Sequence, residues 1–311
     1  MIITLTMNPA VDKTAELDTI QVGGLNRLKN IVMDAGGKGI NVSKTIHNLN
    51  GNSIAVAIVG GNAGNFIENE MKRLQVNYDF MYIDGNSRTN LKIVDQDKVL
   101  TEFNENGPSP NAEQLQKLSQ KIESMLKEDD ILVLSGSVPK EVKKDYYYDL
   151  IRIAKNKNAK TILDADGELF KEGIKAIPTI IKPNRYELLQ YYNAPEDTSE
   201  KQMILYAKAF IDQGVELVVV SMGKDGSYFI NKDAVYKVEP LKIEAHSSVG
   251  AGDAMVASLA YGVENKLSDT QLIVLSSACS AGAVMTQGTK PADLALIEEL
   301  KKQVQYKKIE M

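Results

Sequence analysis

The 311-residue sequence has few of the side chains that build disulfides or transition-metal sites: one cysteine, two histidines and no tryptophan. A single cysteine, Cys279, excludes a disulfide within the chain and is typical of a reducing compartment. It stands among small residues of a predicted helix, so we expect a packed, unreactive thiol. His47 and His246 are far apart in sequence and lack metal-ligand spacing, which argues against a His/Cys metal site.

Long apolar runs and an excess of positive charge are also absent. No apolar stretch approaches the roughly 18 residues that span a bilayer, and the N-terminus shows no signal-peptide pattern. These absences predict a cytoplasmic protein with no membrane partner. The net charge of -5 argues against nucleic acid, which needs a basic face. A small anionic substrate needs only a few lysines and arginines.

Short apolar runs alternate with longer amphipathic stretches along most of the chain. The runs are typical of strands buried on both faces of a parallel sheet, and they cover residues 54–59, 131–134, 161–163, 179–181 and 217–220. Strand–helix alternation therefore predicts an α/β fold in which helices cover a mostly parallel sheet.

Two stretches, 13–34 and 87–104, instead alternate polar and apolar residues without a helical period. This pattern is typical of strands exposed on one face. We expect a small second sheet over the main one, a discontinuous β-sheet lid. The predicted core then comprises residues 1–12, 35–86 and 105–311.

A first glycine-rich segment, AGGKGINV at 35–42, lacks the glycine and the Ser or Thr that a P-loop places around its lysine. It predicts a turn into a helix that exposes backbone N–H groups beside Lys38, which suits an anion or sugar hydroxyls. A tight turn with a solvated lysine explains the segment equally well.

A second segment, VGAGDAM at 249–255, lacks the third glycine of a dinucleotide fingerprint. Gly250 and Gly252 before a helix predict a nest of N–H donors with Asp253 in the first turn. Taken alone, the segment favours Asp253 as a helix cap. A third segment, SMGKDG at 221–226, by itself predicts only a turn into a hairpin.

Five segments, in order, resemble the ribokinase-like (PfkB) family of carbohydrate kinases, and most closely its branch of 1-phosphofructokinases and tagatose-6-phosphate kinases. They are TMNPAVD at 6–12, AGGKGINV at 35–42, SGSVP at 135–139, IKPNRYE at 181–187 and VGAGD at 249–253. The resemblance implies a three-layer α/β/α core with a small β-sheet lid, ATP and Mg²⁺ as cofactors, and a small phosphorylated sugar as substrate. Lid sheets of the family often pair, which implies a homodimer through the lid sheet.

The resemblance also implies roles for individual residues. Those expected to contact the sugar phosphate are Asp12, Arg27, Gly36, Gly37, Lys38, Asn41, Arg88, Asn90, Lys92 and Ser137. Those expected to line the ATP site are Lys182, Asn184, Ser221, Gly223, Gly226 and Gly250. Asn184 and Glu187 would organise Mg²⁺ through water, although such spacing on a helix is common and normally solvated.

Catalysis is expected at the second glycine segment. Asp253 would be the base, and the N–H groups of Gly250, Ala251 and Gly252 would stabilise charge on the transferred phosphoryl group. Two segments depart from the family pattern. Ser247-Ser248 stands where Asn-Thr or Asp-Thr is common, which argues against activation by a monovalent cation. Asp164-Ala165-Asp166 replaces the commoner Asp-Thr/Cys-Ser.

The segment SRTNLK at 87–92 resembles the Thr-Arg-x-Asn-x-Lys pattern of 1-phosphofructokinases, whereas tagatose-6-phosphate kinases commonly lose that lysine. We expect fructose 1-phosphate to be converted to fructose 1,6-bisphosphate. The alternatives are a tagatose-6-phosphate kinase forming tagatose 1,6-bisphosphate, a non-catalytic sugar-phosphate sensor, and a nucleoside or vitamin kinase. Retention of Asp253 argues against the sensor, and Lys38 with Arg88 would lack an anionic partner in a nucleoside kinase.

Overall fold

The computed structural model describes residues 1–244, 249–286 and 288–310. Its strands are β1 (Ile2–Thr6), β2 (Ala10–Glu16), β3 (Lys29–Gly36), β4 (Ser53–Val59), β5 (Met81–Tyr82), β6 (Arg88–Val94), β7 (Leu100–Asn104), β8 (Ile131–Ser135), β9 (Lys160–Asp164), β10 (Ile180–Ile181), β11 (Leu217–Ser221), β12 (Ser227–Ile230), β13 (Val235–Val238) and β14 (Tyr306–Lys308). Each of the five apolar runs found in the sequence forms a strand.

Within the described residues, ten strands form the main sheet in the order β14-β13-β12-β11-β10-β9-β8-β1-β4-β5. The seven from β11 to β5 run parallel, and β12, β13 and β14 add an antiparallel edge. The predicted α/β fold, with a large, mostly parallel sheet and a small second sheet, is confirmed.

Helices cover both faces of the main sheet. They are α1 (Lys38–Asn48), α2 (Gly61–Arg73), α3 (Ala112–Met125), α4 (Tyr146–Asn156), α5 (Gly167–Ile174), α6 (Arg185–Tyr191), α7 (Glu200–Asp212), α8 (Ala251–Glu264), α9 (Asp269–Met285) and α10 (Leu294–Lys301). Successive residues of a strand point to opposite faces. Accordingly Leu132 packs in the core beneath α3 to α7, whereas Ile131 packs beneath α1 and α8.

The order of the parallel strands reverses at β1. From β1 the chain continues to β4 and β5 on one side, whereas β8, β9, β10 and β11 follow one another on the other side. In open α/β sheets the crevice at such a reversal, outside the carboxyl ends of the strands, is where ligands bind. The topology therefore points to the ends of β1 and β8.

The small sheet consists of β3, β2, β6 and β7, in that order. β2 pairs antiparallel with β3 and parallel with β6, and Asp12 stands opposite Asn90 in the second pairing. The division of the chain into a core and a lid, with the boundaries given above, stays a prediction.

Cys279 is buried in α9, and burial raises the pKa of its thiol to about 12, as expected for a packed thiol. Within the described ranges no helix is long and apolar enough to cross a membrane. His246 lies outside the described residues.

Candidate active site

A cleft of about 180 Å³ opens where β1 and β8 end, at the reversal of strand order. Four of the residues predicted to bind the sugar phosphate line it: Gly37, Lys38, Arg88 and Ser137. The other lining residues, which the sequence did not single out for this role, are Thr6, Asn8, Ser135, Gly136 and Asp166.

The turn between β3 and α1 requires glycine at two positions. A Cβ on Gly36 would lie 2.5 Å from Oδ2 of Asp12, and a Cβ on Gly37 would lie 2.6 Å from Cγ2 of Thr6. Gly37 also has a φ of 114°, which side chains other than glycine rarely tolerate. The backbone therefore passes directly beside the Asp12 carboxylate, and α1 begins with Lys38 at the cleft.

Asp164, at the end of β9, is a buried anion for which the sequence predicted no role. Its Oδ1 lies 3.0 Å from Nζ of Lys182, its Oδ2 lies 3.2 Å from Nζ of Lys38, and Ser135 donates a 2.9 Å hydrogen bond to Oδ2. Burial would raise the pKa of Asp164, but the two lysines outweigh it and hold that pKa below its ordinary range. Attraction to Asp164 likewise raises the pKa of Lys38, so this lysine is cationic at the cleft.

Asp253 lies in the first turn of α8, after Gly250, whose φ is 85°. The N–H groups of a first helical turn have no acceptors within the helix, and the positive end of the helix dipole lies there. The Asp253 carboxylate is buried and accepts a 2.8 Å hydrogen bond from Nδ2 of Asn41. Burial raises its pKa to about 6 in spite of the nearby Lys38. Such a carboxylate is ionised at neutral pH yet basic enough to take a proton.

Asn41 is in turn contacted by Lys44, a residue that the sequence analysis missed. Nζ of Lys44 lies 3.2 Å from Oδ1 of Asn41, and the lysine side chain is buried. The sequence contained a signal for this contact, because Lys44 is three residues after Asn41 and residues three apart on a helix lie on one face. A lysine one turn after the candidate site residue Asn41, on the same face of the predicted helix, places a charge next to that residue.

Three of the predicted sugar-binding residues meet on the small sheet. Asp12 accepts hydrogen bonds from Nδ2 of Asn90 at 3.0 Å and from Nζ of Lys92 at 3.3 Å. The Lys92 side chain is only 10% exposed, so its charge is paired with Asp12. Oδ1 of Asn90 is buried and has no hydrogen-bond partner within the described residues. A ligand hydroxyl is one group that would satisfy such an acceptor.

Arg88 differs from Lys38 and Lys92, which are both paired with aspartates, because it forms no ion pair within the described part of the chain. Its Nε donates a 3.3 Å hydrogen bond to the carbonyl oxygen of Asn8, and burial lowers the pKa of its guanidinium. Arg27 lies in the exposed segment between β2 and β3 and is not among the residues that line the cleft. Asp166, exposed at the start of α5, adds a carboxylate to the cleft.

The residues predicted for ATP lie at the ends of β10 and β11. Asn184 and Ser221 form an isolated parallel bridge, and a Cβ on Gly252 would lie 3.5 Å from Nζ of Lys182, which places this lysine at the start of α8. Gly226 has a φ of 89°, and a Cβ there would collide with the carbonyl oxygen of Val238. Apart from its own chain neighbours, no atom of the described residues lies within 4 Å of the corresponding position on Gly223, so a ligand can approach its backbone closely.

Asn184 and Glu187 form the capping box of α6. Oδ1 of Asn184 accepts from the Glu187 N–H and Oε2 of Glu187 accepts from the Asn184 N–H, both at 2.8 Å. Burial raises the pKa of Glu187. Its Oε1 makes no hydrogen bond within the described residues, so one carboxylate oxygen is available to a magnesium-bound water, which suits a cation that keeps several waters. No cluster of three or more His, Cys, Asp or Glu that could hold a metal occurs in the described part of the chain.

Ser247 and Ser248, on which the expectation about monovalent cations rests, lie outside the described residues.

Comparison with known proteins agrees with the fold and with the family resemblance. The model of the pfkB family of carbohydrate kinases matches residues 2–294. The tagatose-6-phosphate kinase of Staphylococcus epidermidis is 32% identical over 307 residues, covering 98% of this chain and 99% of that protein. The 1-phosphofructokinase of Bacillus subtilis is 35% identical over 267 residues, covering 86% of this chain and 87% of that protein.

Among solved structures, phosphofructokinase-2 from Escherichia coli in complex with potassium superposes with a TM-score of 0.92 at 26% sequence identity, covering 97% of this chain and 98% of that one. The resemblance drawn from the five motifs is confirmed. This chain belongs to the pfkB family of carbohydrate kinases and is an ATP-dependent sugar kinase.

Proposed function

We propose that the chain phosphorylates a ketohexose monophosphate, with fructose 1-phosphate as substrate and fructose 1,6-bisphosphate as product. One arrangement carries the proposal: a cationic cleft and a buried carboxylate are connected by a single helix. Lys38, at the start of α1, lines the cleft together with Arg88. Asn41, one turn further along α1, donates to the carboxylate of Asp253.

Arg88 is the anchor for the phosphate that the sugar already carries. A half-buried guanidinium without a carboxylate partner is costly to maintain, and a phosphate would supply the missing anion through charge-assisted hydrogen bonds. Lys38 contributes less than its position in the sequence indicated, because it is already paired with Asp164, a carboxylate that it shares with Lys182. The argument from unpaired charge against a nucleoside kinase therefore rests on Arg88 alone.

Asp12 and Asn90 bind the sugar hydroxyls. Lys92 and Asn90 hold the Asp12 carboxylate from one side, and Oδ1 of Asn90 offers an acceptor with no other partner in the described chain. The choice of fructose 1-phosphate rests on Lys92, the position at which this segment resembles 1-phosphofructokinases. Because Lys92 pairs with Asp12, it acts through the orientation of that carboxylate.

In the transfer step, the C6 hydroxyl of the sugar gives its proton to Asp253 while its oxygen forms the new bond to the γ-phosphorus of ATP. The bond from that phosphorus to the β,γ-bridging oxygen breaks, and ADP leaves. The N–H groups around Ala251 and Gly252, together with Lys182, stabilise the charge on the phosphoryl oxygens.

ATP would lie along the ends of β10 and β11, against Asn184, Ser221, Gly223 and Gly226. Mg²⁺, held through water by Glu187 and Asn184, would neutralise charge on the ATP phosphates when bound. Both metal-organising side chains are also fixed by the capping box of α6, so they are held in place before any ligand arrives.

We also propose a cytoplasmic homodimer that pairs through the outer face of the small sheet. Ile31 and Met33 on the edge strand β3 and Phe103 on the opposite edge strand β7 are 50%, 44% and 53% exposed. Exposed apolar side chains of this size on one face of a small sheet mark an interaction surface. Light scattering of the intact protein measures its mass, and a monomer at micromolar concentration would contradict this part of the proposal.

A coupled assay of ADP release over a panel of sugars tests the activity. Fructose 1-phosphate should give the highest kcat/KM, tagatose 6-phosphate a lower value and free fructose almost none. If tagatose 6-phosphate is preferred, the alternative of a tagatose-6-phosphate kinase replaces the present proposal. A sensor would bind the sugar phosphates without releasing ADP.

A further inference from the structure

Lys44 places a buried amine behind the proposed catalytic base. The residue is only 5% exposed, in the middle of α1. Its Nζ donates to the carbonyl oxygen of Ala35 at 2.9 Å, to Oδ1 of Asn41 at 3.2 Å and to Oγ1 of Thr289 at 3.3 Å. These acceptors belong to the end of β3, to α1 and to the segment after α9, so one side chain connects three parts of the chain.

The three acceptors match the three protons of an ammonium group. Burial lowers the pKa of Lys44. A neutral amine still donates to two acceptors, and the Thr289 hydroxyl can then donate to its nitrogen. In the observed arrangement Lys44 donates to Oδ1 of Asn41, which a protonated and a neutral amine can both do.

This donated hydrogen bond favours one orientation of the Asn41 amide. The amide oxygen faces Lys44 and its NH₂ group faces away. The NH₂ group then donates to Oδ2 of Asp253 at 2.8 Å. With the amide reversed, its oxygen would face the carboxylate, and two acceptors would oppose each other.

We propose that Lys44 is a positioning residue for the phosphoryl transfer: it locks the Asn41 amide in the orientation that donates to Asp253 and so holds the carboxylate of the base in its ionised, correctly directed form. This inference rests on the proposed role of Asp253. It adds that the base depends on a side chain that touches neither substrate.

Other charges also act on the two ends of this chain of hydrogen bonds. Those facing Asp253 are Lys38 from α1, Asp164 from β9 and Lys182 from the end of β10. Those acting on Lys44 are Asp34 from β3, Asp12 from β2, Asp253 from α8 and Glu70 from α2. Replacing Lys44 leaves all of these groups in place, so a change in the titration of Asp253 reports on the lysine and the amide.

The test is the pH dependence of kcat for Lys44→Met, which keeps the length of the side chain and removes its donors. We expect kcat to fall about 10- to 100-fold and the acidic limb of its pH profile to move up by about one unit, since a donor to the charged form is lost. The KM values for ATP and for the sugar phosphate should stay within about threefold, because the change acts on the base and not on binding.

A matched control separates positioning from a general loss of stability. The hydroxyl groups of Thr4 and Ser43 form a 2.8 Å hydrogen bond, and Thr4 is fully buried. Ser43 precedes Lys44 on α1. Thr4→Val removes this buried hydrogen bond at the same helix without touching Asn41. It should lower the melting temperature and leave the pH profile of kcat unchanged.

If Lys44→Met does not fold, Lys44→Leu gives the same readout, because its shorter apolar side chain also lacks a donor to Oδ1 of Asn41 and is easier to accommodate. A folded variant with the wild-type acidic limb and wild-type kcat overturns the inference. If Asp253→Asn also keeps its activity, the proposed base itself is wrong; if Asp253→Asn is inactive, only the role of Lys44 is refuted.

Discussion

Asp253→Asn tests the proposed base through two quantities that should change in opposite directions, turnover and stability. Asparagine has the shape of the protonated acid, and its amide oxygen can still accept the hydrogen bond from Asn41. It cannot accept a proton from the substrate. We therefore expect kcat to fall by about 10²- to 10⁴-fold, the usual contribution of a general base, with both KM values nearly unchanged.

The stability change follows from the environment of the carboxylate. Asp253 is only 8% exposed, and burial raises the pKa of its carboxyl from an ordinary 3.8 to about 6. A raised pKa means that the ionised form is disfavoured in the folded state, at about 1.36 kcal/mol for each unit. At pH 8 the wild-type fold therefore carries a cost of roughly 3 kcal/mol, which the neutral amide avoids.

The stability change caused by Asp253→Asn should depend on pH. As the pH falls through about 6, Asp253 takes up a proton in the folded protein and the cost is progressively relieved. Below the ordinary value of 3.8, the carboxyl is protonated in the folded and unfolded states alike. Asp253→Asn should thus raise the free energy of unfolding at pH 8 and lose this advantage near pH 4. Urea denaturation at the two pH values measures both.

The matched control is Asp269→Asn. Asp269 also lies in the first turn of a helix and its Oδ2 accepts a 2.8 Å hydrogen bond from an asparagine, Asn231, but it is exposed. Its replacement should change neither turnover nor stability by more than about 0.5 kcal/mol. If Asp253→Asn folds, keeps most of its turnover and gains no stability at pH 8, Asp253 is a helix cap and the reasoning fails.

Three further predictions concern binding, stability and substrate choice. Arg88→Ala should raise the KM for the sugar phosphate about 10- to 150-fold, equivalent to the 1.5–3 kcal/mol of a charge-assisted bond, and leave the KM for ATP within about threefold; equal losses for both substrates would indicate a general defect of the small sheet. Asp164→Asn should lower the free energy of unfolding at pH 7 by about 3–5 kcal/mol, because buried Lys182 loses its partner. The wild-type contribution, from a depressed pKa, should persist above about pH 4 and be lost as the pH falls through the folded-state pKa; an unchanged urea midpoint would contradict the pairing. Lys92→Met should reduce the preference for fructose 1-phosphate over tagatose 6-phosphate when the two compete at equal concentration, and an unchanged product ratio would show that Lys92 is not the discriminator.

The sequence predicted the architecture well because its signals are local. Each buried parallel strand needs apolar residues on both faces, so it leaves a continuous run in the sequence. The five runs identified in the sequence all became strands of the main sheet. Glycine likewise carries a local signal, since Gly37 and Gly250 adopt positive φ at the starts of α1 and α8.

Asn184 and Glu187 illustrate a local signal with a meaning that the sequence analysis did not consider. The spacing was interpreted as a metal-organising pair through the family resemblance, or otherwise as two solvated side chains on a helix. Asn-x-x-Glu before a helix is also the pattern of a capping box, and the structure contains that box at α6. One oxygen of each side chain is thereby engaged, and the pair's role toward Mg²⁺ stays a prediction.

The sequence by itself determined the fold class, the family and the positions of the glycine turns, because periodicity, backbone conformation and ordered motifs are properties of short segments. Only the tertiary structure decided which charges meet. Lys38 and Lys182 are 144 positions apart yet share Asp164, Lys92 pairs with Asp12 across two strands, and Asn41 reaches Asp253 from another helix. A charged residue looks the same in a sequence whether it is solvated, paired or aimed at a ligand. Its partner is chosen by the packing of distant segments, and burial then sets its pKa.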